Sequence, residues 1–394
     1  MITVTEAKTL IEQHTAQAQP KRLPLREAAG LVLAEDLFSP IDIPAYPQSS
    51  MDGYALNFAG YRQHGALDLV GVVAAGSDER PVLQPHQAMR IFTGAAVPEG
   101  ADTILIQEKS VVREGKLQVD DPALEAGLNL RPKGSEIARG QLALPAGSRL
   151  SPAAIGFLAG FGMTEVLVYP PPRVCIIVTG NELQDPGQPL QHGQVYESNS
   201  LTLRAVLDPL HIRDVTVDRS ADSLETLVEV LQRALQTHDI VMLNGGISVG
   251  DYDYVLKATE ICGIMKVFHK IRQKPGKPIY FGTRGSKLVF GLPGNPASVL
   301  TCFYEYVTVA LRKYYLAEPG IRVIRAPLAQ AFRKAAGLTH FLKGYYDGQT
   351  VLPLDAQESY RLSSFARANC LVVIEEAETA CAAGDLVELH LLPV

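Results

Sequence analysis

Three observations in the sequence predict a multidomain protein of the α/β class. The chain has 394 residues, which at roughly 100–200 residues per domain corresponds to two to four domains. Strand-like and helical segments alternate between residues 172 and 319, as expected for a parallel sheet with helices on both faces. Residues 46–137 and 320–394 consist mainly of short strand-like runs separated by Gly, Asp and Pro, which is typical of small β-domains.

Composition places the chain among globular proteins and excludes several classes of function. Apolar residues make up 47% and charged residues 20%, so a packed core is expected rather than disorder. The formal net charge is −6, which gives the whole protein no attraction for nucleic acid or an anionic membrane. No run of about 18 apolar residues is present, so no membrane span is expected. The first residues lack the features of a signal peptide.

The five cysteines indicate a reducing compartment. Their number is odd and no Cys-x-x-Cys pair occurs, so neither a disulfide framework nor a zinc site is expected. Most lie among apolar neighbours, as Cys175 does between Val174 and Ile176. We therefore expect buried, reduced thiols in a cytoplasmic protein.

The N-terminal segment is predicted to be mixed in structure. A Thr-x-x-Glu capping box opens a predicted helix at residues 3–18. A short helical stretch at 25–29 and an extended stretch at 31–37 are expected to follow. Three prolines between residues 40 and 48 then indicate a boundary or hinge.

The next part, residues 50–138, is predicted to be a small β-domain. Its strand-like runs are at 69–73, 88–92, 103–107 and 116–119. Residues 139–170 are predicted to return to helix, because Ser151 followed by Pro152 is a typical helix start. A run of prolines at 170–172 marks another boundary.

From residue 172 onward the pattern becomes strand–helix alternation. The strands are predicted at 173–178, 212–217, 239–243 and 287–290. The helices are predicted at 200–207, 223–236, 254–262 and 296–315. Because ligands bind outside the carboxyl ends of the strands in open α/β sheets, the turns after the strands are the candidate binding residues.

The first of these turns follows the strand at 173–178 and presents Thr179 and Glu182 around Gly180. An ordinary turn with Asn181 in the left-handed conformation is the alternative interpretation.

The second turn covers residues 244–253. Its glycines free backbone N–H groups to form an anion-binding nest, and its aspartates are suitable Mg²⁺ ligands. A simple helix start capped by Asp251 is the alternative. The candidate binding residues are Gly245, Gly246, Ser248, Asp251 and Asp253.

The third turn, residues 290–298, combines Asn295 as a predicted N-cap with Pro296 at the first helical position. A helix start at this edge of the sheet suits a phosphate or another oxyanion. An ordinary connection between a strand and a helix, with no bound ligand, explains the same residues equally well. Lys274 and Lys277 lie on a proline-stiffened loop that either meets an anion or forms a solvated basic surface.

Together the turns predict a pocket for a phosphorylated, oxyanion-bearing ligand without fixing its chemistry. The chain lacks a Gly-x-x-x-x-Gly-Lys-Ser/Thr motif, so it is not a standard P-loop NTPase. It also lacks a Gly-x-Ser-x-Gly elbow, which argues against an esterase.

The ordered set of motifs resembles the molybdopterin molybdenumtransferases, the family of bacterial MoeA and the gephyrin E domain. The matching segments are residues 50–55 (SMDGYA), 92–98 (FTGAAVP), 100–102 (GAD), 129–131 (NLR), 179–183 (TGNEL), 245–250 (GGISVG), 274–278 (KPGKP), 292–296 (LPGNP), 363–364 (SS) and 368–369 (AN). They span nearly the whole chain, and their order makes the resemblance specific.

The resemblance implies a four-part subunit and a homodimer. The implied parts are a linker domain at 1–45 plus 138–171, an inserted β-rich domain at 46–137, an α/β molybdopterin-binding domain at 172–319 and a C-terminal β-barrel domain at 320–394. In the family, the site lies where the inserted domain of one subunit faces the α/β domain of the other. Molybdopterin adenylyltransferase and apo-molybdoenzymes are the implied partners.

The resemblance also implies roles for individual residues. The substrates are molybdate and molybdopterin adenylate, and Mg²⁺ is the expected cofactor, held by Glu182 and Asp253. The catalytic positions are Asp52, Thr93, Glu182, Asp222 and Asp253. The substrate-binding positions are Gly245, Gly246, Ser248, Asp251, Lys274, Lys277, Pro293, Asn295, Pro296 and Ser298. Asp52 has the alternative of a turn residue, and Asp222 that of a helix N-cap.

The chain departs from the family pattern at four places. Asn181 stands where Asp is usual, Ser135 and Glu136 where Glu-Asp is frequent, and Asn244 where Ser is usual. An arginine is typical near residues 338–341, where the nearest downstream cation is Lys343. Since lysine lacks the bidentate fork of arginine, a weaker affinity for molybdate is expected.

Three other functions are compatible with parts of the sequence. One is a non-catalytic molybdopterin or nucleotide sensor or scaffold, although no appended interaction module is present. Another is the same chemistry with tungstate, whose size and charge are nearly those of molybdate. The third is a molybdopterin adenylyltransferase, which would not need the segments at 50–55 and 92–98.

Overall fold

The computed structural model describes residues 1–245, 254–316 and 321–393. The chain divides into a large unit, residues 1–23, 30–32 and 167–394, and a small unit, residues 24–29 and 33–166. The small unit combines the implied inserted domain with parts of the implied linker domain. The four-part division therefore stays a prediction.

Helices occur in both units. In the described ranges they are α1 (Val4–His14), α2 (Phe58–His64), α3 (Pro152–Gly160), α4 (Asn199–Leu207), α5 (Leu224–Thr237), α6 (Tyr254–Ile261), α7 (Pro296–Cys302), α8 (Thr308–Tyr315) and α9 (Leu362–Phe365). A π-helical turn, Phe303–Val307, joins α7 to α8. Short 3₁₀ turns are Leu25–Glu27, Gln107–Lys109 and Asp208–Leu210.

Strands are short and numerous. In the same ranges they are β1 (Lys21–Pro24), β2 (Val32–Leu33), β3 (Leu37–Phe38), β4 (Gln48–Ser49), β5 (Gly53–Leu56), β6 (Ala66–Val73), β7 (Gln87–Ile91), β8 (Thr103–Ile106), β9 (Ser110–Arg113), β10 (Lys116–Val119), β11 (Leu130–Arg131), β12 (Leu142–Leu144), β13 (Glu165–Tyr169), β14 (Val174–Thr179), β15 (Leu183–Gln184), β16 (Val195–Tyr196), β17 (Val215–Ser220), β18 (Ile240–Asn244), β19 (Met265–His269), β20 (Gln273–Lys274), β21 (Tyr280–Arg284), β22 (Lys287–Leu292), β23 (Arg322–Pro327), β24 (Phe332–Arg333), β25 (Thr339–Tyr346), β26 (Val351–Pro353), β27 (Cys370–Ile374), β28 (Ala380–Cys381) and β29 (Leu386–Leu391).

Helix α1 begins as predicted and ends early. Thr3 Oγ1 accepts the Glu6 N–H at 3.1 Å, and the Glu6 carboxylate accepts the Thr3 N–H at 2.7 Å, which confirms the capping box. The helix ends at His14, so its predicted extension to residue 18 is wrong. The chain leaves the helix because the Ala18 N–H donates to the Tyr314 carbonyl at 2.6 Å.

The central sheet of the large unit has the strand order β17-β14-β18-β22-β21-β19. Its first four strands are parallel, as predicted. The other two, β21 and β19, were not predicted: β21 pairs antiparallel with β22, and β19 pairs antiparallel with β21. Only Gly285 and Ser286 separate β21 from β22, and a two-residue connection is too short for a parallel crossover.

Both faces of this sheet are covered by helices, as predicted. Along β14, Val174 and Ile176 pack into a cluster with residues of α1, α4 and α7. The intervening Cys175 and Ile177 pack into a second cluster with residues of α5 and α6. Because side chains alternate along a strand, this division explains why β14 is apolar from Val174 to Val178.

The predicted strand at 212–217 is displaced toward the C-terminus. His211 adopts a left-handed conformation, and the Ile212 N–H donates to the Leu207 carbonyl at 3.2 Å. These contacts close the end of α4, so the strand begins at Val215 and continues to Ser220.

The C-terminal part of the large unit is a six-stranded sheet. Its order is β20-β25-β27-β29-β23, with β26 paired to β25. Strand β20 lies parallel to β25, whereas the other pairs are antiparallel. This confirms a β-rich C-terminal region, while closure into a barrel stays a prediction.

The small unit contains a six-stranded sheet of order β8-β5-β7-β6-β10-β9. The four predicted strands are present, with ends at most three residues from the predicted ones. Strand β5 was missed because Gly53 resembles a turn residue. A β-carbon at Gly53 would lie 1.9 Å from the Leu105 carbonyl oxygen, so glycine permits the close pairing with β8.

The predicted helical return at 139–170 is correct only for α3. Ser151 is its N-cap and accepts the Ala154 N–H at 3.2 Å. The flanking segments are strands β12 and β13. In β13, Glu165 to Tyr169 alternates between exposed and covered positions, which is the period of a strand.

The five cysteines are free and buried, as predicted. Burial raises the pKa of Cys175 to about 11, so its thiol is protonated and unreactive at neutral pH. In the part of the chain that the structure describes, no helix has both the length and the apolar character needed to cross a bilayer.

A buried ionic network joins the two ends of the chain. The Glu305 carboxylate has no exposed surface and lies 2.6 Å from both Lys8 Nζ and His390 Nδ1. His390 Nε2 lies 3.0 Å from the Glu388 carboxylate. An imidazole donates from both nitrogens only when it is protonated. Burial lowers the pKa of His390, but the hydrogen bond and charge of Glu305 outweigh burial and raise it above its ordinary value.

This network predicts a loss of stability at alkaline pH. A raised folded-state pKa stabilises the fold fully below the unfolded value of about 6.5, and the contribution disappears as pH rises through the folded value. We expect the free energy of unfolding to fall over that window in the wild type. His390→Gln should remove this part of the pH dependence, measured by denaturant unfolding at several pH values. An unchanged slope in the variant would contradict the assignment.

Candidate functional site

A cleft of about 710 Å³ opens at the carboxyl ends of the central strands in the large unit. It brings together eight of the predicted residues, which are Glu182, Asp222, Gly245, Lys274, Lys277, Pro293, Asn295 and Ser298. Pro296 begins α7 beside the cleft without lining it. The predicted residues Gly246, Ser248, Asp251 and Asp253 lie outside the described residues, and Asp52 and Thr93 lie in the small unit.

The first turn depends on Gly180 rather than on Asn181. Gly180 has a φ of +146°, and a β-carbon there would lie 2.8 Å from both carboxylate oxygens of Glu182. The Glu182 backbone carbonyl accepts the Val195 N–H at 2.9 Å, which anchors the turn to the following strand pair. Asn181 Oδ1 accepts the Asp222 N–H at 3.3 Å. Its amide therefore links the two turns that carry the cleft carboxylates.

Adding one methyl group to this turn is expected to impair the site. In Gly180→Ala the new β-carbon displaces the Glu182 carboxylate, so we expect turnover to fall at least about tenfold, since small misplacements of a reacting group are costly. Gly187→Ala is the matched control. Gly187 also has a positive φ, +90°, but a β-carbon there meets nothing within 4 Å. Equal losses of activity in the two variants would show that backbone strain, rather than displacement of Glu182, is the cause.

Asp222 is not a helix N-cap. The cap of α5 is Ser223, whose hydroxyl accepts the Thr226 N–H at 3.4 Å. The Asp222 side chain is exposed and lines the cleft, where its carboxylate is available to a ligand.

The second turn starts with a close approach of two strands. Gly245 has a φ of +91°, and a β-carbon there would lie 2.5 Å from the Thr179 carbonyl oxygen. Nearby, Asn199 Nδ2 donates to Asn244 Oδ1 at 3.0 Å and to the Gly294 carbonyl at 2.9 Å. Asn199 thus ties the second turn to the third. The role of Asn199 was not predicted because it rests on contacts with residues distant in the sequence.

The loop at residues 274–278, here called the lysine loop, is held rigidly, although its lysine side chains are exposed. Gln273 is fully buried, and its amide donates to the Pro275 carbonyl at 2.9 Å and accepts from the Tyr306 hydroxyl. A β-carbon at Gly276 would lie 2.5 Å from Cys302 Sγ. The backbone therefore packs on the helix that follows the third turn, and Lys274 and Lys277 project from a fixed frame.

The third turn has the predicted residues in place but a different hydrogen-bond pattern. Asn295 occupies the N-cap position without capping α7, and its amide instead donates to Ser359 Oγ at 2.7 Å. The Ala297 N–H donates to the Ser359 carbonyl at 3.0 Å. This N–H is therefore not free to bind an oxyanion, which weakens the expectation of anion binding by the helix start. Ser298, only 3% exposed, still lines the cleft.

Lys343 does not replace the arginine that the family pattern contains. It is 2% exposed, and its Nζ donates to the carbonyls of Ala356, Glu358 and Arg361 at 2.6–3.2 Å. Burial lowers the pKa of Lys343. Leu338 lines the cleft instead, so Lys274 and Lys277 are the cations among its described lining residues.

In the small unit, Asp52 and Thr93 are brought together. Asp52 Oδ1 accepts from both the backbone N–H and the hydroxyl of Thr93, each at 2.8 Å. These hydrogen bonds hold the pKa of the Asp52 carboxyl below its ordinary value. Both residues are exposed, so the pair is compatible with a ligand contact as well as with a structural role in the turn.

Family models match three consecutive parts of the chain. They are described as "MoeA N-terminal region (domain I and II)" at residues 2–162, "Probable molybdopterin binding domain" at 175–313 and "MoeA C-terminal region (domain IV)" at 325–392. The second of these ranges contains the three turns and the lysine loop.

Similar proteins match over the full length. The molybdopterin molybdenumtransferase of Haemophilus influenzae is 32% identical, with 99% of this chain and 98% of that protein covered. The Staphylococcus aureus protein of the same name is 30% identical, with 99% and 95% covered. A crystal structure of a molybdopterin biosynthesis MoeA protein from Pyrococcus horikoshii has a TM-score of 0.83 and 28% identity, with 99% of each chain covered. The chain therefore belongs to the molybdopterin molybdenumtransferase (MoeA) family.

Proposed function

We propose that this protein inserts molybdenum from molybdate into molybdopterin adenylate and releases AMP during molybdenum cofactor biosynthesis. The charged residues that line the cleft are the main support for this function. The carboxylates of Glu182 and Asp222 and the cations Lys274 and Lys277 line one cleft. The lysines suit the phosphates and the oxyanion co-substrate, whereas the carboxylates suit the Mg²⁺ that would bind together with the phosphates.

The roles of the cleft residues follow from their chemistry. Lys274, Lys277 and the Ser298 hydroxyl attract and orient molybdate, because cations and hydroxyl donors bind tetrahedral oxyanions. The dithiolene sulfurs of the pterin are soft ligands that suit molybdenum as it leaves its oxo ligands. The rigid lysine loop reduces the entropy lost when the anion is bound.

The carboxylates that line the cleft, Glu182 and Asp222, fit Mg²⁺. The described residues contain no cluster of three or more His, Cys, Asp or Glu side chains suited to a metal ion. Mg²⁺ typically takes one or two protein carboxylates and completes its shell with substrate phosphates and water. Glu182 with Asp253, or with Asp222, would hold it, and the bound ion would neutralise charge on the adenylate phosphates.

The test is reconstitution of a cofactor-free molybdoenzyme. Purified protein, molybdopterin adenylate, molybdate and Mg²⁺ should together restore the activity of the recipient, and omission of any one should prevent it. A parallel reaction with tungstate measures metal preference. Tight binding of molybdopterin adenylate without reconstitution would favour the alternative of a sensor or scaffold.

We also propose that the enzyme is a cytoplasmic homodimer that receives its substrate from molybdopterin adenylyltransferase and delivers its product to apo-molybdoenzymes. The exposed Asp52–Thr93 pair supports this proposal, since it is a candidate catalytic pair in a unit separate from the cleft. The four-part domain division and the C-terminal barrel belong to the same proposal.

Complementation between two inactive variants tests the dimer. If a site combines Asp52 of one subunit with Glu182 of the other, a heterodimer of Asp52→Ala and Glu182→Ala subunits retains one intact site. Random subunit exchange should then restore about a quarter of wild-type activity, because half of the dimers are mixed and each has one site of two. Each variant mixed with itself is the control. No recovery after demonstrated exchange would contradict a site shared between two subunits.

A further inference from the structure

A second cavity, of about 770 Å³, adjoins the cleft on the far side of Lys274. The two spaces share Lys274, Pro275, Leu338 and Gln357 as lining residues. The second cavity is otherwise bordered by the C-terminal sheet and the segment 353–358. Lys277 and Ser298 line only the cleft, so the second cavity has its own set of polar groups.

Lys274 and His340 lie side by side at the boundary. They are register partners in the parallel pairing of β20 with β25, and paired residues project from the same face of a sheet. The ring of Phe332 lies 6.4 Å from that of His340 in an edge-on arrangement. The imidazole of His340 makes no hydrogen bond with any described residue, so its nitrogens are available to a ligand.

Two of the other charged groups around this cavity, Lys334 and Glu358, already have partners. Lys334 Nζ donates to the Leu338 carbonyl at 2.9 Å, and Glu358 pairs with Arg361 at 3.3 Å. Asp355 is the other carboxylate of the lining. Arg333 lines the cavity with an exposed side chain and makes no ion pair with a described carboxylate.

The His340 ring is neutral at physiological pH. Burial, together with the charges of Lys334 and Lys274, lowers the pKa of His340 to about 4. A neutral imidazole still donates one hydrogen bond. A dianion placed beside it would offset the two lysines and raise its pKa, so anion binding and proton uptake are linked.

We propose that this cavity is a second oxyanion subsite, in which Lys274, Arg333 and His340 hold a tetrahedral dianion next to the cleft. Arg333 supplies the planar fork that suits an oxyanion, a group that the described lining of the cleft lacks. The identity of the anion as molybdate rests on the proposed function, whereas the subsite itself does not. Sulfate and phosphate share the shape and charge of molybdate.

Binding to the full-length protein tests the subsite. Equilibrium dialysis and calorimetry with sulfate and with molybdate should show two anions per chain in the wild type. Arg333→Gln and His340→Gln should each weaken one of them about tenfold or more, the loss expected for one charge-assisted contact. Lys277→Gln should weaken the other. Arg322→Gln is the matched control. Arg322 is an exposed arginine on strand β23 and lines neither the cleft nor the second cavity.

Proton uptake distinguishes a ligand contact of His340 from a structural role. Sulfate stays a dianion from about pH 7 to pH 5, where a histidine titrates. Calorimetry in buffers of different ionisation enthalpy should show protons taken up with sulfate, and His340→Gln should abolish the uptake. A single anion per chain in the wild type, or two in Arg333→Gln with unchanged affinity, would overturn the proposal.

Comparing sulfate with molybdate binding, and anion binding with reconstitution, shows whether the subsite or the proposed reaction is at fault. Molybdate binding at least as tight as that of sulfate supports a molybdate subsite, and sulfate binding without molybdate binding overturns it. A protein that binds two anions but never reconstitutes a molybdoenzyme would refute the proposed function and leave the subsite standing. Reconstitution with one bound molybdate per chain would refute only the subsite.

Discussion

Glu182→Gln is expected to lower turnover by about 100- to 1,000-fold, the range that loss of one charged group at a reacting centre typically produces. The substitution keeps the size of the side chain and removes its charge. The Gly180 turn and the Val195 hydrogen bond should keep the backbone in place. Single-turnover AMP release at saturating molybdopterin adenylate measures the effect on the chemical step.

Asp185→Asn is the matched control for this prediction. Asp185 is an exposed carboxylate three residues from Glu182, it pairs with Arg219, and it does not line the cleft. We expect near wild-type turnover for Asp185→Asn. Comparable losses in the two variants would indicate a general electrostatic effect of this segment and contradict a specific role for Glu182.

Glu305→Ala is expected to destabilise the large unit by about 3–5 kcal/mol, the cost of breaking a buried ion pair by removing one partner. Burial raises the pKa of Glu305, but the charge of Lys8 and the hydrogen bond from His390 outweigh it and lower that pKa. The carboxylate is therefore ionised, and its removal takes away the buried partner that Lys8 and His390 Nδ1 share. Denaturant unfolding and amide hydrogen exchange in α1 and β29 measure the loss.

Glu388→Gln is the control for the buried network. Glu388 contacts the other nitrogen of His390, but its side chain is 39% exposed. Because water screens an exposed pair, we expect a loss of less than about 1 kcal/mol. If Glu305→Ala cost no more than Glu388→Gln, Glu305 would not be the centre of the network.

The location of the cleft could be predicted because strand–helix alternation forces the turns to one edge of a parallel sheet. The spacing of apolar runs placed the strand before Glu182 and the helix after Asn295 within two residues. The resemblance then assigned the chemistry. Neither step required knowledge of tertiary contacts.

The contributions of distant residues could not be predicted in this way. Ser359 reaches the third turn from about sixty residues away and takes the Ala297 N–H, and no local pattern encodes that pairing. The burial of Lys343 likewise depends on where the segment 354–361 folds. Strands β19 and β21 were missed because each mixes apolar with polar residues, and the preference of such a segment for a strand depends on the strand that it pairs with.

The most direct test of the central claim is the stoichiometry of AMP released to molybdenum inserted in a single turnover. Preloaded molybdopterin adenylate is mixed with molybdate and Mg²⁺, then AMP is quantified by chromatography and protein-bound pterin-coordinated molybdenum by X-ray absorption. The account predicts one AMP for each molybdenum atom inserted and no AMP without molybdate. AMP release that does not depend on molybdate, or molybdenum bound without AMP release, would contradict it.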